Sequence, residues 1–285
     1  MKKIIAAAVT AAFVAPAFAA DITLSGSQEW NYQDNNGATT SELDGTIKVS
    51  ASSELPNGMS VSATTALDEA GSADGGTNLT LSGDFGKIAL GDVSGAIDAV
   101  DDVTDWGFEA TSGSGGSSGA TDAHLLWTLP TLAEGLTINI SASAQSSEGG
   151  GQDAEAEASG VSVKYAAGSF SVAYGTQDND DGTSHSLANA TFKTGGLTLG
   201  AEQLTDTSAT SVDTDYKALG AKYAMGDTTF FVENMTKSSG GSTSKDITAF
   251  GISLAVGDLT FFAETKDDAK TASAETTYFG ASYSF

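Results

Sequence analysis

Short runs of alternating polar and apolar residues, 34 glycines against three prolines, and tight glycine-marked turns that alternate with longer polar connections predict an all-β chain. The specific expectation is a 16-stranded antiparallel transmembrane β-barrel whose long third external loop folds into the lumen. No apolar run beyond residue 20 is long enough to cross a bilayer as a helix, so any membrane crossing must be made by strands.

Taken in order, the chain opens with a leader. Lys2 and Lys3 give a basic start, residues 4–14 an apolar stretch, and Ala17-Phe18-Ala19 a small-x-small cleavage site, so residues 1–19 are expected to be a signal peptide and the mature chain to begin at Ala20. Residues 20–285 are then the barrel. Period-two runs fall at 21–33, 43–55, 59–68, 77–84, 86–92, 120–129, 136–145 and 159–166, and again at 169–177, 184–193, 197–205, 215–224, 228–236, 245–256, 259–267 and 275–285. That makes sixteen, an even count as bacterial barrels require; weak alternation near residues 77, 184 and 228 leaves fourteen or eighteen open.

The turns at 56–58, 85, 167–168, 195–196, 225–227 and 257–258 are short, with 130–135 slightly longer. Between them lie polar connections at 34–42, 69–76, 93–119, 146–158, 178–183, 206–214, 237–244 and 268–274. One trimmed rim and one elaborate rim are the pattern of short periplasmic turns and long external loops.

The faces sort as well. Ile47, Val49 and Ala51 oppose Thr46, Lys48, Ser50 and Ser52, and Leu136, Ile138 and Ile140 oppose Thr137, Asn139 and Ser141. Turned outward, the apolar set meets lipid and leaves a wet interior. A lysine facing lipid near the midplane would cost roughly 2–4 kcal/mol, and Lys48, Lys164, Lys193 and Lys222 all fall on the polar parity, so each is expected to project into the lumen.

Residues 93–119 are the longest connection and differ in kind. Asp98, Asp101, Asp102 and Asp105 recur at the spacing of one helical face, while Ile97, Val100 and Val103 fall largely on the other, followed by Trp106 and Phe108. A segment with its own apolar stripe is expected to lie against the inner wall and to aim its carboxylates, with Glu109, at the passage. Rows of acids make cation-preferring pores.

Charge and composition exclude other classes. Twelve basic residues, all lysine, face 37 acids, for a net charge of −25, and loss of the leader removes two lysines more. Such a surface repels nucleic acid and attracts cations. With no cysteine, the fold uses no disulfide. Of the two histidines, neither His124 nor His185 has a recognisable nucleophile constellation nearby, so an enzyme is not expected. An adhesin or binding barrel would carry aromatic and arginine anchors in its loops, whereas these loops are Gly, Ser, Thr and Asp. A substrate-specific channel stays open as an alternative. Asp178, Asp180 and Asp181 offer hard oxygen ligands in a short loop and are a candidate Ca2+ site.

The run from Leu79 to Ala96, Leu-Thr-Leu-Ser-Gly-Asp-Phe-Gly-Lys-Ile-Ala-Leu-Gly-Asp-Val-Ser-Gly-Ala, with the opening Ile22-Thr-Leu-Ser-Gly26 and the terminal Tyr283-Ser-Phe285, resembles Gram-negative outer-membrane general diffusion porins of the alphaproteobacterial, Rhodobacter-like type. The resemblance implies a homotrimer in contact with outer-membrane lipid and lipopolysaccharide, and passive passage of ions and small hydrophilic solutes. It also implies an eyelet whose acidic side matches Asp98, Asp101, Asp102, Asp105 and Glu109, and Ca2+ binding in acidic loops. The basic side departs from the family pattern, because scattered lysines such as Lys48 and Lys193 replace a dense arginine and lysine cluster. A net negative, cation-preferring constriction is therefore expected.

Overall fold

The computed structural model describes residues 21–68, 77–101, 103, 106–108, 110, 122–143, 157–270 and 275–285. The leader 1–19 lies outside them. Sixteen strands follow one another: β1 (Asp21–Asn35), β2 (Ala38–Glu54), β3 (Ser60–Asp68), β4 (Asn78–Gly83), β5 (Gly86–Ser94), β6 (Asp122–Thr128), β7 (Leu136–Ser143) and β8 (Ala158–Ala167). The second half is β9 (Phe170–Asn179), β10 (Ser184–Thr194), β11 (Leu197–Thr207), β12 (Asp213–Met225), β13 (Thr228–Ser239), β14 (Ser242–Val256), β15 (Leu259–Asp268) and β16 (Thr276–Ser284). Each pairs antiparallel with its sequence neighbours, and β1 pairs with β16 to close the sheet into a barrel. Closure matters because an open edge would leave backbone donors and acceptors unpaired in hydrocarbon. At the seam Gly26 and Phe285 exchange both backbone hydrogen bonds, at 2.9 and 3.0 Å.

Alternation decides which side faces what. Apolar residues such as Ile22, Leu24, Val49, Val163, Val232 and Phe250 are exposed, while Asn139, Ser162, Gln177 and Glu264 are buried. In a closed wall this inversion places the apolar set outside and the polar set inside. Polar ladders run across the inner face: Thr128 Oγ1 donates to Asn139 Oδ1 at 2.8 Å, and Asn139 Nδ2 donates to Ser162 Oγ at 3.1 Å.

The rims are less asymmetric than the polarity of the sequence suggests. Residues 34–42 and 237–244, read as long loops, are largely strand: β1 and β2 stay in register up to Asn35 and Ala38, and β13 meets β14 at Ser239 and Ser242. Two-residue turns join them, with φ of 52° at Asn36 and 86° at Gly37, and 55° and 82° at Gly240 and Gly241. Paired positive φ values of this kind match the twist of a hairpin, so the strands continue past the point where apolar alternation stops.

Candidate functional site

After β5 the chain makes one turn of 3-10 helix, Asp98–Val100, and Asp101 then returns to extended backbone at φ −70°, ψ 109°. Among the described residues the helical backbone therefore ends at Asp101. Asp98 and Asp101 are half-buried on this short turn, while Asp102, Asp105 and Glu109 lie outside the described residues.

The apolar stripe of the segment is seated. Ile97, Val100, Val103 and Ala110 are completely or almost completely buried. Ile97 and Val100 pack with Ala173 of β9, Leu187 of β10 and Leu204 of β11, and Tyr216 of β12 flanks them. Farther round, Ala110 packs with Phe231, Ala249, Phe262 and Tyr278 of β13 to β16, with Trp106 alongside, and Phe108 stacks on Phe262 at 4.6 Å between ring centroids. These wall residues stand on the polar parity of their strands, so the inner face is not uniformly polar as the sequence suggested. It carries an apolar track where the segment lies. Each fully buried Ile or Val contributes roughly 1.5–3 kcal/mol to holding it there.

Polar anchors fix its position along that track. Asn189 of β10 donates its side-chain N–H to the Val100 carbonyl, and the Ala96 N–H donates to Ser141 Oγ of β7 at 2.9 Å. Glu264 of β15, itself buried, accepts from the Phe108 N–H at 2.7 Å through one carboxylate oxygen and from the Ala110 N–H at 2.9 Å through the other. Charge-assisted bonds of this kind are about twice as strong as neutral ones. None of these three anchors is visible in the sequence as more than an inward-parity polar residue.

Glycine completes the seat. Gly200 and Gly220 are direct partners on β11 and β12, and a Cβ built on them would come within 2.8 and 2.6 Å of the Trp106 indole. The wall is thinned to backbone where the ring lies. A glycine at inward parity in two neighbouring strands was the available sequence signal for this notch.

Lys48 stands exposed on β2. Lys164 of β8, Lys193 of β10 and Lys222 of β12 are not scattered: together with Trp106 they line one recess. Lys222 Nζ lies 5.4 Å from the Trp106 ring centroid. At the opposite end of β10, His185 Nδ1 is 2.7 Å from Asp206 Oδ1 and its Nε2 is 3.3 Å from Asn179, so this histidine ties β9, β10 and β11 together.

Asp178 ends the ladder of β9 beside Asn179, and Asp180 and Asp181 occupy the tight connection from β9 to β10. Asp181 accepts from both the N–H and the hydroxyl of Thr183, at 2.8 and 2.6 Å, and those bonds hold its carboxyl below the ordinary carboxylate pKa. Among the described residues no three carboxylates or imidazoles are spaced to hold a metal ion.

A closed sixteen-stranded barrel with an apolar outer face and a polar inner wall defines a transmembrane channel-forming protein of the outer-membrane type. The chain belongs to the Gram-negative porin family, whose profile matches residues 6–285, and it is accordingly an outer-membrane channel protein. No curated protein sequence gives a significant match. Among solved structures, the trimer form of OmpT from Vibrio cholerae aligns with a TM-score of 0.76 at 13% identity, over 94% of this chain and 100% of that one. An anion-selective porin from Comamonas acidovorans gives 0.71 at 15%, over 93% and 100%. A mutant of the Rhodobacter blastica porin gives 0.69 at 15%, also over 93% and 100%. Identities this low establish the fold and nothing finer.

Proposed function

We propose that this chain is a passive diffusion channel for ions and small hydrophilic solutes in which residues 95–110 cross the inside of the barrel as its constriction. The observation that carries the reading is the seating of Ile97, Val100, Val103 and Trp106 on inward-parity positions of β9 to β13, since a segment held on that face narrows whatever passes beside it. In this reading Asp98, Asp101, Asp102, Asp105 and Glu109 give the passage a cation preference. Selectivity is a property of side chains and not of the barrel, because a similar fold serves an anion-selective porin. Three copies assemble side by side, a state supported by the trimer form of the Vibrio cholerae relative in fold, and the leader 1–19 is removed on export.

The test is reconstitution in a planar bilayer under a KCl gradient. The wild type should give stepwise currents with a reversal potential on the cation side, and conversion of Asp98, Asp101, Asp102 and Asp105 to Asn should move that potential toward zero. Unchanged selectivity in the quadruple variant would remove these acids from the pore.

A further inference from the structure

One lysine breaks the rule that sorts the others. Of the lysines on the described strands, Lys217 of β12 alone stands at outward parity, on the face of exposed Leu219, while its neighbours Tyr216 and Ala218 pack inside the barrel. On its rung of the wall lie Ala188 of β10, Gln203 of β11 and Thr236 of β13. Lys217 is exposed and pairs with no carboxylate among the described residues. Asp215, two residues along the same face, accepts instead from the Thr205 hydroxyl at 2.7 Å and lies 3.5 Å from Gln203 Nε2. Depth explains how an outward lysine is tolerated. Met225 ends β12 at the short-turn rim, and Lys217 is the ninth residue counted back from it. A tilted strand crosses the hydrocarbon in about 9–11 residues, so the ammonium emerges at headgroup level on the side of the longer connections, where a lysine costs least.

Beneath this lysine the outer wall is hollowed. Exposed Ala188, Ala190 and Ala201 floor a trough of about 450 Å³ on β10 and β11. Tyr174 of β9 and Leu219 of β12 stand up on either side, 55% and 63% exposed. Register fixes the layout, because Tyr174 pairs with Ala188, Ala190 with Ala201, and Ala201 with Leu219. The trough therefore begins at the rung of Gln203 and Lys217 and runs from there into the hydrocarbon. On other strands the outward face carries bulkier side chains such as Val163, Ile252 and Phe250.

We propose that this trough is a discrete seat for one phosphate-bearing, acylated lipid of the leaflet on the longer-connection side, with its phosphate on Lys217 and Gln203 and a hydrocarbon chain along Ala188, Ala190 and Ala201. An ammonium at headgroup level above an apolar hollow is complementary to such a molecule and to neither of its halves alone: the charge-assisted bond needs the anion, and the hollow needs the chain. Lipid touches the whole outer wall of a barrel, but only here does a cation of the wall meet a vacant apolar groove. The inference concerns the outer surface and holds whether or not residues 95–110 narrow the passage.

The test uses the full-length folded protein, stripped of lipid in an uncharged detergent and titrated with dioleoylphosphatidylglycerol, with bound molecules counted by native mass spectrometry. One molecule per chain should bind ahead of any others. Lys217→Gln should weaken that first step about tenfold or more, while Lys217→Arg should retain it. Ala201→Phe, which fills the trough and leaves the lysine in place, should weaken it similarly. Dioleoylglycerol, which lacks the phosphate, and inorganic phosphate, which lacks the chains, should both fail to compete; effective competition by either overturns the two-part seat. Absence of a distinct first step in the wild type, or an unchanged one in Lys217→Gln with its strand circular dichroism intact, would overturn the proposal. Equal weakening by Lys193→Gln, on the inward face of β10, would do the same, because the lipid would then be reading net charge alone. If Ala201→Phe changes the assembly state in sedimentation while the lipid step is kept, the trough seats a second copy of this chain and the proposal falls.

Discussion

Replacement of Glu264 by alanine is the sharpest test of how residues 95–110 are held. The carboxylate accepts two backbone N–H groups, from Phe108 and Ala110, in bonds of 2.7 and 2.9 Å. Charge-assisted bonds contribute about 1.5–3 kcal/mol each, and the lower end applies here because water can reach this stretch at Phe108, which is 36% exposed. The two together amount to about 3 kcal/mol, a factor of about a hundred in the population of locally opened segment. Hydrogen exchange should therefore accelerate by about that factor at the amides of Phe108 and Ala110. The amides of Ala99 and Val100, bonded to Gly95 and Ile97 at 3.0 Å each, should keep their protection. Single-channel records should show a noisier and larger conductance. Gly220→Val supplies an independent route to the same end, since its side chain meets the Trp106 ring while Glu264 stays in place. If the amides of Phe108 and Ala110 exchange at the wild-type rate in Glu264→Ala, or if all four amides accelerate equally, the carboxylate is not the local clamp described.

Two further outcomes are expected. Val49→Lys puts a charge on the outer face and should cost roughly 2–4 kcal/mol near mid-membrane, whereas Ser50→Lys, one residue on and inward, should assemble with nearly wild-type yield in lipid vesicles; equal yields would reverse the assignment of faces. For Asp181 the pKa is lowered in the folded chain by its bonds to Thr183, so the stabilisation it gives the turn is present above the ordinary carboxylate value of 3.8 and is lost as pH falls through the lower folded value. Thr183→Val should move the Asp181 titration, followed by carboxyl carbon NMR, upward toward 3.8, and an unmoved titration would assign the shift elsewhere.

The barrel was legible because lipid imposes its rule on every strand: Ile47, Val49 and Ala51 could not share a face with Lys48 without crossing the hydrocarbon boundary. The same rule misled at the rim. Outside the membrane nothing enforces apolar alternation, so Thr39 to Glu42 read as loop although they continue the ladder of β2. Asn36-Gly37 is the sequence signal for a two-residue turn inside that polar stretch. In the 95–110 segment the apolar stripe was readable, but its partners were not. Leu187, Leu204, Phe231 and Phe262 look like lapses in the polar parity of their strands until the segment that covers them is in view. The turn at Asp98–Val100 ends at Asp101 for a related reason. Seating Ile97, Val100 and Val103 along a curved wall draws the backbone out of helix after a single turn.

The bare patch where Gly200 faces Gly220 bears on how such proteins can be re-engineered. A graft of residues 95–110 onto another barrel would bring the indole of Trp106 without its socket, and any side chain at either position would meet the ring inside van der Waals distance and push the insert off the wall. Plug and staves form one fitted unit, so a recombinant that keeps both glycines in register should retain its bore, and one that exchanges only the plug should not.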